Sequence, residues 1–269
     1  MTRVRSEFVV APSTAPVAAE RHRAAVAAMS RRQVRAVRAV VVGALAIGAA
    51  VLALIVGVIS SWWAAPVTFA VALALFWYAL VSPRIAKAED RVLGFVGPLR
   101  DAEVLGEARL LNLVDGLVPS TGVSRPRCLV ADDPARNVLV VGRSPGHSRI
   151  VFTSGLLDSV TRMELEGLVA CALVAIRDGI LAAPTLALAV GGARLLRVAG
   201  PPADAAPEDL AAVGLTRYPP GLAAAFRRIL GGGPPARTEG TDAIVDRFWL
   251  AQPGDPAALA ARAEVLEEL

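Results

Sequence analysis

The chain has 269 residues, 55% of them hydrophobic and 19% charged, with a formal net charge of +4. The basic excess comes from the first 38 residues, which carry eight arginines against Glu7 and Glu20, so the remainder is slightly acidic. That distribution excludes a nucleic-acid-binding domain, and the only two histidines, His22 and His147, exclude any H-x-x-x-H pair.

Residues 1–20 include Pro12, Pro16 and many small side chains, a composition that predicts disorder. Residues 21–38, rich in Ala, Val and Arg, predict a helix lying along a membrane surface and leading into a first span. From Ala39 to Pro83 there is no charged residue. Val40 to Ile59 forms about 30 Å of helix, enough to cross the hydrocarbon core. Ser60, Ser61, Trp62, Trp63 and Pro66 predict a turn at the interface, and Val67 to Val81 a second span with Trp77 and Tyr78 near its other belt. The run begins too late and lasts too long for a cleaved signal peptide. Arginines precede the hairpin, Arg84, Lys87 and Arg91 follow it, and its turn is uncharged. The positive-inside rule therefore predicts a multi-pass cell-membrane protein with both termini cytoplasmic, its basic tail attracted to anionic lipid. The expected organisation is a basic tail (1–38), a two-helix transmembrane hairpin (39–83) and a cytoplasmic domain (84–269).

Within the domain, the spacing of Val104, Leu105, Ala108, Leu111 and Val114 predicts a helix over Asp101–Leu117. Cys128–Ala131, Val138–Val141 and Ile150–Thr153 are β-rich runs forming a small sheet, separated by Asp-Asp-Pro and Ser-Pro-Gly turns. Thr161-Arg-Met-Glu164 is a capping box that starts the next helix, which Gly179 ends. Ile180 to Ala193 predicts a buried or membrane-contacting helix, and Pro219 to Leu230 a short helix stopped by the Gly231–Pro235 loop. Pro256–Leu269 reads as an amphipathic helix. The fold class is α+β and mainly helical.

The stretch from Glu164 to Asp178 resembles the metal-binding helix of a zinc metallopeptidase. Leu113-Val-Asp-Gly-Leu, Asn137-Val-Leu-Val-Val-Gly142-Arg143, Val151-Phe-Thr153-Ser-Gly155-Leu-Leu157, Glu164-Leu-Glu-Gly167, Leu215–Leu222 and Arg262-Ala-Glu-Val-Leu266 occur in the order and spacing of the HtpX-like membrane zinc metallopeptidases, relatives of the CAAX prenyl endopeptidases. The resemblance implies a zincin-like domain in which Ala243–Leu250 corresponds to a strand-like segment beyond the ligands. In that family H-E-x-x-H places two zinc ligands on one helix face with a general base between them. The corresponding positions here hold Cys171, Ala172 and Ala175, and the third-ligand position falls on Ala205, with Glu208 as a shifted ligand in another register and Asp209 retained. The resemblance thus implies a pseudopeptidase with a degenerate zinc motif, no catalytic residue, no bound metal and no cofactor. It would act by binding a peptide or a protein, such as an active metallopeptidase or a membrane-protein substrate, beside the lipid bilayer. Two other readings stay open: an active zinc endopeptidase with an unrecognised ligand set, and a structural membrane protein without a ligand.

The remaining patterns read as structural. Gly142-Arg-Ser144-Pro-Gly146 has the spacing of a nucleophile elbow but lies between two strands rather than before a helix. His147 reads as a loop residue, Cys128 and Cys171 as small buried hydrophobes, and Arg177-Asp178 as an ion pair closing a helix. The glycine-proline segment lacks the G-K-[ST] of a phosphate loop.

Overall fold

The computed structural model describes residues 15–59, 65–198, 206–233, 245–252 and 255–269. Two N-terminal apolar helices lead into a helical domain built around a four-stranded sheet. Helix α1 (Ala15–Ile59) is one continuous element. Residues 15–20, expected to be disordered, belong to it. The second apolar helix begins as α2 (Ala65–Phe76), widens into a π-helical turn (Trp77–Val81) and resumes as α3 (Ser82–Ala86). Pro83 explains the widening: it has no N–H to donate, and the Ser82 N–H reaches back five residues to the Trp77 carbonyl. Both helices are long and apolar enough to cross a membrane, over Ala24–Gly57 and Pro66–Ala86. The expected interfacial turn with Trp62 and Trp63 lies outside the described residues.

The segment before the first apolar run does not lie alone along a surface. Ser30, Gln33, Val34 and Val37 recur at i, i+3, i+4 and i+7, the spacing of one helix face. That face packs on the domain, with Val37 buried and Val34 against the same cluster. The end of the second apolar helix packs there too, through α4 (Ala88–Leu93) and its buried Val92 and Leu93.

Strands β1 (Leu99–Asp101), β2 (Arg127–Ala131), β3 (Val138–Ser144) and β4 (His147–Thr153) form the sheet in the order β1-β2-β4-β3. β2 and β4 run parallel, and both outer pairs are antiparallel. Its alternating side chains are apolar on both faces. Cys128, Val138, Val140, Ile150 and Phe152 face one cluster; Leu129, Ala131, Leu139, Val141 and Val151 face the other. The first face is covered by α5 (Val104–Thr121), α7 (Arg162–Asp178), α10 (Pro219–Leu230) and α11 (Pro256–Glu267). The second is covered by α1, α4 and α8 (Ala182–Val198). Two further helices among the described residues are α6 (Ser154–Ser159) and α9 (Ala206–Thr216).

Several expected boundaries shift. Asp101 joins β1, where Arg127 of β2 binds its carboxylate at 2.6 Å, so α5 starts only at Val104. It runs through Pro119 to Thr121 and stops at Gly122 in the left-handed conformation. The helix after α7 extends to Val198 with a break at Gly192, and its first turns are buried. The strand-like reading of Ala243–Leu250 reduces, among the described residues, to a bridge between Leu139 and Trp249, because Asp246–Phe248 folds as a 3-10 turn. Helix α9 had no sequence expectation.

Gly155 begins α6 directly against the Asp-Asp-Pro turn, and a Cβ there would sit 2.0 Å from the Pro134 carbonyl oxygen. Backbone cannot yield as a side-chain tip does, so Gly155→Ala is expected to cost about 2 kcal/mol or more. A thermal midpoint for the detergent-solubilised variant within a degree of the parent would refute this packing.

Candidate functional site

Helix α7 is fixed at both ends. The Thr161 hydroxyl accepts from the Glu164 N–H at 3.4 Å, and the Glu164 carboxylate accepts from the Thr161 N–H at 2.6 Å, which is the expected capping box. Glu164 also takes a two-pronged contact from Arg228 of α10 at 2.8 and 3.0 Å. At the other end Gly179 adopts the left-handed conformation and caps the helix, and Arg177 pairs with Asp178 at 2.8 Å.

Between these ends, Leu168, Cys171, Ala172 and Ala175 share one face and form the floor of a cavity of about 130 Å3. The three expected motif positions are therefore brought together. Ala205 lies outside the described residues, while Glu208, the alternative ligand, is buried and lines the same cavity. Val138 and Val140 of β3 make a second wall together with Trp249 and Leu250. Asn137 pins that wall: its amide donates to the Ala251 carbonyl at 2.8 Å and accepts from the Ala251 N–H at 3.1 Å.

The polar end is an ion pair that the sequence did not announce. Arg262 of α11 grips both carboxylate oxygens of Asp209 at 2.7 Å, and its guanidinium carbon lies 4.7 Å from the centre of the Phe226 ring. The Cys171 thiol donates to Asp209 across 3.7 Å and lies 4.0 Å from Arg262. Burial pushes the Cys171 thiol strongly up, and the neighbouring Asp209 adds to this, so the sulfur stays protonated. Burial opposes the charge on Arg262, but Asp209 more than reverses that and raises it.

These donors do not fit a zinc ion. Ala172 and Ala175 offer no lone pair, and both Asp209 oxygens are held by Arg262. Among the described residues, no group of three or more His, Cys, Asp or Glu side chains is placed to hold a metal. Ser144 Oγ and His147 Nδ1 come within 3.2 Å, but both sit at the β3–β4 hairpin turn, as expected for a strand-to-strand loop. Cys128 is buried in β2, which raises its thiol to about 11.

Comparison with known proteins identifies relatives described as protease HtpX homologs. A protease HtpX homolog of Dictyoglomus turgidum is 37% identical over 84 residues, 31% of this chain and 27% of that protein. One from Dictyoglomus thermophilum is 44% identical over 61 residues, 23% and 20% of the two chains. One from Levilactobacillus brevis is 27% identical over 135 residues, 50% and 44%. The chain thus matches less than half the length of these curated relatives. No family model and no solved structure matches.

Two predictions follow from the ion pairs. Arg262→Ala should cost about 3 kcal/mol, because it strands a buried carboxylate, whereas Arg262→Met combined with Asp209→Leu should recover most of that loss. Equal losses of thermal midpoint in the single and double variants would refute a buried pair. Burial raises the Glu164 carboxyl, but Arg228 and Thr161 reverse this and leave it below its ordinary value of 4.5. Its contribution to stability is thus complete above pH 4.5 and is lost as pH falls through the lower folded value. Glu164→Gln should flatten the stability profile below pH 4.5 and lower it above, and acid titrations of both proteins would check this; parallel profiles would remove Glu164 as the cause.

Proposed function

We propose that this chain, an HtpX-like protein by its sequence relatives, is a membrane-anchored homologue of the zinc metallopeptidases that binds a peptide segment without hydrolysing it. The observation that carries this reading is the coincidence of cavity and motif: the helix face on which H-E-x-x-H would stand is the floor of the cavity, and it presents a thiol and two methyl groups. A floor of Leu168, Cys171, Ala172 and Ala175 suits an apolar side chain, and the nearby charges of Arg262 and Asp209 satisfy each other. At the three motif positions of the α7 floor, Cys171, Ala172 and Ala175 supply neither the histidine pair nor the general base of that chemistry.

Two packing contacts support a two-span topology with the domain on one side. The start of the first apolar helix reaches the domain through Val37, and the end of the second reaches it through α4. Both ends therefore lie beside the same domain. The arginines at Arg31, Arg32, Arg35 and Arg38 support a cytoplasmic side for that domain by the positive-inside rule. The occupant would be a segment of a membrane protein or of an active metallopeptidase within reach of the bilayer surface.

Metal content tests the chemistry. The purified full chain, exposed to excess Zn2+ and desalted, should retain less than about a tenth of an equivalent. Retention near one equivalent would overturn the reading and direct substitution to Cys171 and Glu208. Binding is tested separately: a protein recovered with the intact chain from mild detergent should be lost with Ala172→Trp, which fills the cavity. Recovery undiminished by that variant would place the binding elsewhere.

A further inference from the structure

The walls of the cavity differ in what holds them. The α7 floor belongs to the main core, and Leu165, Leu168 and Leu173 of that helix are fully buried. The β3 wall is tied by the sheet and by Asn137. The polar end is clamped by the Arg262–Asp209 pair. Another wall consists of Ile180, Leu181 and Pro184, around the α7–α8 turn, and of Gln33 from α1, while Arg247 and Gln252 also line the cavity. Here the side-chain hydrogen bond runs from the Ser30 hydroxyl to the Gly179 carbonyl at 2.5 Å. Ser30 and Gln33 are three residues apart on the face that continues into Val34 and Val37. One helix face thus latches the turn and forms part of the wall.

We infer that α1 gates this cavity: release of Ser30 from Gly179, with withdrawal of Gln33, opens it. The inference rests on the cavity being the binding site proposed above. α1 is unbroken, and Gln33 precedes the charge-free run at Ala39 by six residues, about 9 Å of helix. A change in tilt of the apolar half therefore moves Gln33 as the end of a lever, which couples the membrane hairpin to the cavity. The same contacts make the closed state the resting one, because Ser30 and Val37 are buried against the domain.

Cys171 is a built-in reporter, since it lies on the cavity floor while Cys128 lies in β2 and does not line it. The experiment labels the intact chain in lipid nanodiscs with N-ethylmaleimide at fixed pH and measures the rate at each cysteine by peptide mass spectrometry. In Ser30→Ala, Cys171 should label about fivefold faster, the factor that one ordinary hydrogen bond contributes. Cys128 should keep its parental rate. Gln33→Ala, which opens the wall without touching that hydrogen bond, should also accelerate Cys171 selectively. An unchanged Cys171 rate in both variants overturns the gate, because the wall then does not control access. Equal acceleration of Cys128 and Cys171 also overturns it, because the variants then loosen the whole domain. No ligand enters this measurement, so failure of the gate leaves the binding reading standing, and failure to find a cavity-dependent partner leaves the gate standing.

Discussion

Both faces of the small sheet are apolar, and that constraint organises the rest of the chain. A sheet with Val138, Val140, Ile150 and Phe152 on one side and Leu139, Val141 and Val151 on the other needs cover on both. Domain helices cover the first side and bring α7 over it, so the candidate site inherits a rigid floor. The second side is covered by α8 together with the continuations of the two apolar helices, α1 and α4. The segments that flank the hairpin are therefore part of the domain's core rather than tethers to it. Arg143 strengthens this join: it donates to the Ile85 and Ala86 carbonyls at 2.7 and 2.9 Å and pairs with the buried Glu89 at 2.9 Å.

Three buried carboxylates of the domain follow one pattern. Glu89, Glu164 and Asp209 are buried, and each faces an arginine far away in sequence: Arg143, Arg228 and Arg262. A buried pair is roughly neutral in energy against an apolar one, but a broken pair is costly. Such pairs therefore specify which helices meet more than they stabilise the meeting. Asp209 with Arg262 selects α9 against α11, Glu164 with Arg228 selects α7 against α10, and Glu89 with Arg143 selects α4 against β3. At the cavity this has a chemical consequence, because the carboxylate nearest Cys171 is committed to a guanidinium and presents no spare negative charge to a cation.

Local signals were legible in the sequence and long-range ones were not. The charge-free run announced the two apolar helices, β-rich runs between turns announced β2, β3 and β4, and Thr161 with Glu164 announced the start of α7, because each depends on neighbours within a few residues. β1 was missed because three residues, Leu99–Asp101, carry no alternation that can be read. The strand-like reading of Ala243–Leu250 failed, among the described residues, because Asp246–Phe248 folds as a 3-10 turn, so that only the Trp249 bridge and the Leu250 N–H bond to the Val138 carbonyl follow the β3 edge. The expected motif face formed as the helical period requires, but its setting did not follow from any spacing. Asp209 and Arg262 were each noticed in separate segments, and nothing local says that they touch. Gln33 was read as part of a membrane-surface helix, and its place in the cavity wall depends on how α1 crosses α8.

The residues that carry the resemblance to HtpX-like proteins are mostly those that hold walls in place. Asn137 ties the Trp249–Leu250 wall, Gly155 lets α6 start against a tight turn, Glu164 caps α7, and Arg143 joins the sheet to the apolar helices. None of these contacts performs a reaction. Activity in a zinc peptidase depends on different positions, which the resemblance aligns with Cys171, Ala172, Ala175 and Ala205. The two sets are physically separable, because an alanine on the α7 floor disturbs neither the capping box nor the sheet. A chain can therefore retain every wall and change the chemistry of the space between them. Likeness to the relatives then measures how well the scaffold is kept, and the reaction has to be judged from the few side chains that face the cavity.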